Sequence, residues 1–206
     1  SDSSFTDITV KNPPGFEYEY ILSVDKADID CGVATLMSDN IDIPHMLLQG
    51  LTFDLEQVDE RINIEVLIKH IQEYVKSLPP SNSSTNLMIR ELTVKDVYLR
   101  AQGKIVTIAG GSVDKKIPDF TVKDIGTKAS TSEMTSQFVS ILTHAVMSEV
   151  FRHPIDGLSN VATGSINSVL NKIPILKDLP DLPNLPKIGD LFSGEKDKGE
   201  SSGSGD

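Results

Sequence analysis

The side chains able to do chemistry are few and scattered. The histidines are His45, His70, His144 and His153. No two stand four apart, the spacing that sets two imidazoles on one helix face around a zinc ion. His144 and His153 are nine apart, and surface or core histidines are the commoner reading. Asp25, Asp28 and Asp30 offer the oxygens a hard cation takes. They lack the glycine and distal glutamate of a calcium loop, so a solvated strand face is the plainer expectation. Cys31 is the sole cysteine, which rules out an internal disulfide, and its apolar neighbours at alternate positions predict a buried structural thiol. The folded region contains no Gly-x-Ser-x-Gly, no dinucleotide glycine motif and no phosphate loop. The chain is therefore expected not to be an enzyme and to need neither cofactor nor metal.

Charge narrows the partners. The 206 residues carry a formal net charge of −11. Phosphate backbones select a basic face, so nucleic acid is not an expected partner. Simple electrostatic adsorption to an anionic membrane surface is disfavoured for the same reason. No run reaches the roughly 18 apolar residues that span a bilayer. The chain begins with Ser1 rather than Met.

Any site must be positioned by strands. An apolar residue, Thr, Val, Lys and Asn or Asp recur at Ile8–Asn12, Leu92–Asp96 and Phe120–Asp124. In a strand the apolar residue and Val share one face, Thr and Lys take the other, and the Asx begins a turn. Asn12-Pro13-Pro14-Gly15 ends the first strand. Phe16, Tyr18 and Tyr20 follow at period two. Ala27, Ile29, Cys31 and Val33 alternate with Asp28, Asp30 and Gly32, predicting a half-buried strand with an acidic outer face. Leu36 to Asn40 reads as a turn or short helical turn. Ile41 to Leu55 reads as a long strand with a fault. Ile41 and Ile43 share one parity with Leu51, Phe53 and Leu55, while Met46 and Leu48 have the other. Pro44 or Gly50 would mark a bulge where the register changes, unless both faces are buried.

Asn63 suits an N-cap for a helix carrying Ile64, Leu67, Ile68, Ile71, Val75 and Leu78, stopped by Pro79-Pro80. Strands are expected near Met88 to Val94, Val97 to Gln102, Lys104 to Ile108 and Phe120 to Val122. Gly103 suits a tight hairpin turn and Gly110-Gly111 a looser one. Ser130-x-x-Glu133 is a capping box before a helix from Thr131 to His153. A second amphipathic stretch runs from Leu158 to Ile173. Leu179-Pro180, Leu182-Pro183 and Leu185-Pro186 then repeat every three residues, the period of polyproline II. The expected organisation is a domain at 1–173, an extended Leu-Pro docking segment at 174–192 and a disordered tail at 193–206.

As a string, the chain resembles the short AsmA-like proteins of the bacterial envelope. The resemblance is carried by Ile8 to Phe16, Ala27 to Val33, Leu36 to Asp39, Ile89 to Asp96 and Ile117 to Gly126, and spans about residues 5–153. It implies a periplasmic or cell-envelope protein anchored by an N-terminal membrane segment absent from this chain. Larger relatives resemble groove-shaped lipid-transfer proteins, and this chain is short beside them. Together these readings predict an α+β fold: a curved, mainly antiparallel sheet with amphipathic helices packed on one face, then the extended Leu-Pro tail. The expected role is a non-enzymatic, membrane-associated module that binds lipid or organises an assembly. Val10, Ala27, Ile29, Cys31, Val33, Val94 and Val122 would line its apolar groove. The alternative is a structural or accessory subunit docking on a larger membrane complex or oligomer through Leu158, Val161, Leu179, Leu182, Leu185, Ile188 and Leu191.

Overall fold

Two of the three repeated pentamers lie against each other on neighbouring strands of one sheet. Leu92 stands opposite Val122, Thr93 opposite Thr121 and Val94 opposite Phe120 in an antiparallel pair. The third copy lies on the strand at the opposite edge. A computed structural model describes residues 2–80, 84–108, 111–153 and 155–172. The Leu-Pro segment and the acidic tail, with Leu179, Leu182, Leu185, Ile188 and Leu191, lie outside the described residues.

The fold is α+β, with an open, mostly antiparallel mixed sheet of eight strands and with four helices. The strands are β1 (Ser3–Lys11), β2 (Tyr20–Ile29), β3 (Asn40–Ile43), β4 (Met46–Val58), β5 (Arg61–Ile62), β6 (Thr85–Gly103), β7 (Ser112–Ile117) and β8 (Phe120–Ala129). The helices are α1 (Val33–Leu36), α2 (Asn63–Ser77), α3 (Thr131–Arg152) and α4 (Asn160–Leu170). β6 is the spine. β3 and β4 run parallel along one side of it, and β7 and β8 antiparallel along the other. The ladder keeps one register across Pro44 between β3 and β4, and across Pro118 between β7 and β8. Each proline thus removes a donor without ending the alignment. Parallel β4 and β6 need a crossover, and α2 supplies it.

A line of irregular residues crosses the sheet at right angles to the strands. The flanking pairs set Asp7 opposite Asp25, Asp25 opposite Gly50, and Gly50 opposite Asp96. Asp7, Gly50 and Asp96 have φ of 56°, 68° and 51°. Glycine adopts this left-handed region freely, and Asp is among the few other residues that tolerate it. Burial changes parity at the line on every strand. Ala27 and Ile29 give way to Leu22 and Val24, Met46 and Leu48 to Leu51, Phe53 and Leu55, and Leu92 and Val94 to Val97, Leu99 and Ala101. One extra residue per strand therefore keeps the apolar side chains buried on both sides of the line. A second parity change on β6 falls at Arg90, between Ile89 and Leu92. There Asp124, with φ 54°, and Pro44 occupy the facing positions of β8 and of the β3–β4 junction.

Several expectations change. Pro44 and Gly50 both mark parity changes along β3 and β4. The segments 88–94 and 97–102 form one continuous strand, because Asp96 bulges the backbone instead of turning it. Residues 104–108 form no strand beyond a single bridge from Val106 to Leu158. Among Phe16, Tyr18 and Tyr20, only Tyr20 enters a strand. β7 is a strand that the sequence pattern did not predict. Asn63 is the first residue of α2, with Ile62 as N-cap. The Ser130 capping box forms as expected, with Ser130 N–H donating to Glu133 Oε2 at 2.9 Å and Glu133 N–H to Ser130 Oγ at 3.4 Å. α2 touches β4, α3 and α4, and α3 touches β8.

Candidate functional site

The residues expected to line a groove fall in three environments. Ala27, Ile29, Cys31, Val94 and Val122 are buried in one continuous core. Register places them together: Ala27, Leu48, Val94 and Phe120 form one row across the sheet, and Ile29, Met46, Leu92 and Val122 the next. Val10 is half-buried on β1 and packs against this core. Val33 is 60% exposed and does not join them. The chain leaves the sheet after Ile29, and Val33 opens α1. Asp28 and Asp30 stay only partly buried, as an outer face requires. Burial raises the Cys31 thiol above its usual range, with Asp2 and Asp30 adding to the effect, so it is held as an unreactive thiol. Of the residues expected to meet a partner, Leu158 is half-buried against the core, while Val161 on α4 is 84% exposed.

A buried polar cluster was not legible beforehand. Asp54 and Glu56 alternate with the core residues Phe53 and Leu55, so they point to the other face of β4, yet both are buried. The loop after β1 covers them. Glu17 N–H donates to Glu56 Oε1 at 2.8 Å and to Oε2 at 3.0 Å, and Tyr18 N–H to Oε2 at 3.2 Å. Asn63 is fully buried and ties three segments together. Its Nδ2 donates to Asn12 Oδ1 at 3.0 Å and to the Asp54 carbonyl at 2.8 Å, and its Oδ1 accepts from Glu56 N–H at 2.9 Å. Arg100 donates through Nε and Nη2 to the two Asp54 carboxylate oxygens, at 2.7 and 2.5 Å, and lies 5.1 Å from the Tyr18 ring centre. Arg61 sits 4.9 Å from the Phe16 ring centre and donates to the Gly15 carbonyl at 3.3 Å. Both carboxylates thus meet donors, which offsets the cost of taking them out of water. The cluster latches the Asn-Pro-Pro-Gly-Phe loop to the sheet.

Elsewhere the outer face carries a shallow open depression of about 510 Å³ where the irregular line crosses it, with Asp25, Lys26, Gly50, Asp96 and Tyr98 among its lining residues. Lys116 Nζ reaches Asp96 at 3.2 Å. His45 lies 3.7 Å from Asp30, 3.8 Å from Glu91 and 3.3 Å from the Thr93 hydroxyl. Among the described residues no group of three or more His, Cys, Asp or Glu side chains is placed to hold a metal ion.

His144, on α3, is held neutral. Burial pushes its pKa down to about 4, and Ser148 Oγ is 3.5 Å from its Nδ1. The unfolded imidazole titrates near 6.5, so between pH 6.5 and 4 the unfolded chain binds a proton that the native chain refuses. This contribution is fully present above pH 6.5 and is lost as the pH falls toward 4. The loss at pH 4.5 is about 2–3 kcal/mol. Urea unfolding of the wild type and His144→Gln at pH 7 and pH 4.5 checks it. The wild type should lose that much more stability than the variant, and equal losses would refute the assignment.

No family model, curated protein or solved structure matches the chain.

Proposed function

We propose that the chain is a non-enzymatic assembly module of the cell envelope, a structural or accessory subunit of a membrane-associated complex. One observation supports this over a lipid carrier. Ala27, Ile29, Cys31, Val94 and Val122, the side chains that would line a trough for acyl chains, already lie in a closed core. An apolar face committed to its own core has no surface left to offer an acyl chain. The envelope part of the reading rests on the resemblance to short AsmA-like proteins, which also supplies the expected membrane anchor. The non-enzymatic part rests on the satisfied Asp54 and Glu56 carboxylates. Among the described residues no helix is long and apolar enough to cross a membrane.

Lipid binding remains the second reading, favoured by the unbroken apolar rows from β2 to β8, which would be uncovered if the helices moved aside. The test uses the full chain. Purified protein is mixed with vesicles carrying a fluorescent phospholipid, repurified, and assayed for bound lipid by extraction and mass spectrometry. The assembly reading expects far less than one lipid per chain. Stoichiometric retention of phospholipid would overturn it in favour of the carrier.

A further inference from the structure

The edge strand β1 carries the same six-residue word as β6 and β8, which pair with each other. The word is acid, apolar, Thr, Val, Lys, Asx: Glu91–Asp96 on β6, Asp119–Asp124 leading into β8, and Asp7–Asn12 on β1. Laid antiparallel on itself about its Thr, the word is self-complementary. The apolar residue meets Val on one face. On the other face Thr meets Thr, and the acid meets Lys.

The sheet already contains one such pairing. Leu92 faces Val122 and Val94 faces Phe120. The Thr93 and Thr121 hydroxyl oxygens are 3.5 Å apart, and Lys123 Nζ is 3.6 Å from Glu91 Oε2. β1 pairs with β2 on one side, and among the described residues no strand pairs with its other side. The apolar residues of β1 continue core rows. Phe5 stands beside Ala27, Ile8 beside Val24 and Val10 beside Leu22. The rows are uncovered where they reach the edge, with Phe5 45% and Ile8 39% exposed. Asp7, Thr9 and Lys11 are exposed, with Asp7 at the left-handed kink and a register shift against β2 between Val10 and Lys11. An uncapped strand with apolar side chains is a template for another strand.

We propose that β1 pairs antiparallel with β1 of a second copy of the chain, about a two-fold axis at Thr9. Each Ile8 then meets the other copy's Val10, the two Thr9 hydroxyls approach as those of Thr93 and Thr121 do, and each Asp7 faces the other copy's Lys11. The charge pattern selects a second copy over an unrelated strand, because the acid and the lysine of one word are placed to satisfy the lysine and the acid of the same word reversed. The kink at Asp7 and the loop from Asn12 confine the contact to a short stretch, so the dimer is weak and concentration-dependent. This surface stands on the edge strand alone and does not depend on docking through the C-terminal segment.

Sedimentation velocity of the full chain over a wide concentration range tests the proposal. The wild type should pass from monomer to dimer. Lys11→Asp sets like charges opposite each other twice and should weaken the dimer about tenfold or more, with an unchanged circular-dichroism spectrum and melting temperature. Mixing Asp7→Lys with Lys11→Asp chains should restore association as a heterodimer. A second measurement needs no charge change. In a Cys31→Ala background, Thr9→Cys should cross-link under mild oxidation. Thr6→Cys should not, because the two copies of residue 6 would stand about 20 Å apart along the strands. A wild type monomeric at every concentration, a dimer indifferent to Lys11→Asp, or equal cross-linking at both positions would each overturn the edge pairing.

Discussion

Deleting Gly50 should leave a chain with no cooperative unfolding transition, whereas Gly50→Ala should fold. β4 is held by β2 on one side and β6 on the other, and Gly50 is its extra residue where the irregular line crosses. Without it the strand must slide by one position on one side of the line. β2 and β6 keep the kink, so if Leu51, Phe53 and Leu55 keep their places Gln49 fills the left-handed slot, Met46 and Leu48 turn outward, and His45 and Leu47 turn in. Leu47 can stand in for Leu48. Met46 is replaced by an imidazole with no partner in the core. Losing the methionine costs roughly 1.5–3 kcal/mol, and burying the unpaired imidazole roughly 1–3 kcal/mol more. Gln49 must also hold the left-handed backbone, for about 1 kcal/mol. The total, about 4–6 kcal/mol, is comparable with the whole stability of an ordinary domain. Gly50→Ala instead adds only a methyl at φ +68°, against the carboxylate of exposed Asp25, which can swing away, and 2.9 Å from the Asp25 Cβ, which moves only with its backbone. That should cost about 2–3 kcal/mol. Urea unfolding followed by circular dichroism distinguishes the two variants. A deletion variant that unfolds cooperatively near the wild-type midpoint would show that the line is not what holds the parity.

Glu56→Ala should destabilise the protein by about 3 kcal/mol, because it strips the acceptor from the Glu17 and Tyr18 amides and frees the loop over Asp54. Glu56→Gln keeps one oxygen but turns an amide toward donors, and should cost about half as much. The amide hydrogens of Glu17 and Tyr18 should then exchange at least tenfold faster than in the wild type, while those of β6 slow or quicken only with global stability. Unchanged protection at those two amides would mean that the loop is held by its Arg61–Phe16 and Arg100–Tyr18 contacts instead.

Period-two alternation was a reliable guide wherever the backbone stayed regular. Ala27, Ile29 and Cys31 are buried as their spacing demands, and α2, α3 and the Ser130 cap follow from their patterns. Alternation failed at Val33 because nothing in the apolar period marks the chain's departure into α1. β6 read as two strands because an Asx in a left-handed conformation looks the same in sequence whether it opens a turn or bulges a continuing strand. Only the neighbouring strands decide between them, and those neighbours are far away in sequence. The latch at Glu56 and Asn63 was invisible for a related reason. Its partners, Asn12, Glu17 and Tyr18, lie some forty to fifty residues upstream, and no local pattern distinguishes a buried, fully paired carboxylate from a solvated one.

The parallel pairing of β4 with β6 also sets an order of events during synthesis. β1, β2 and β4 can zip into an antiparallel meander as soon as residue 58 has emerged. The other side of β4 then stays open until α2 and the whole of β6 have followed it, as far as Gly103. For that interval the growing chain exposes the apolar, doubly unsatisfied edge of what will become its central strand. Pairings across a long intervening segment form slowly, and open edges recruit other chains. The nascent chain is therefore most vulnerable to mispairing at mid-length, and a chaperone that shields extended apolar segments would help it most before β6 is complete.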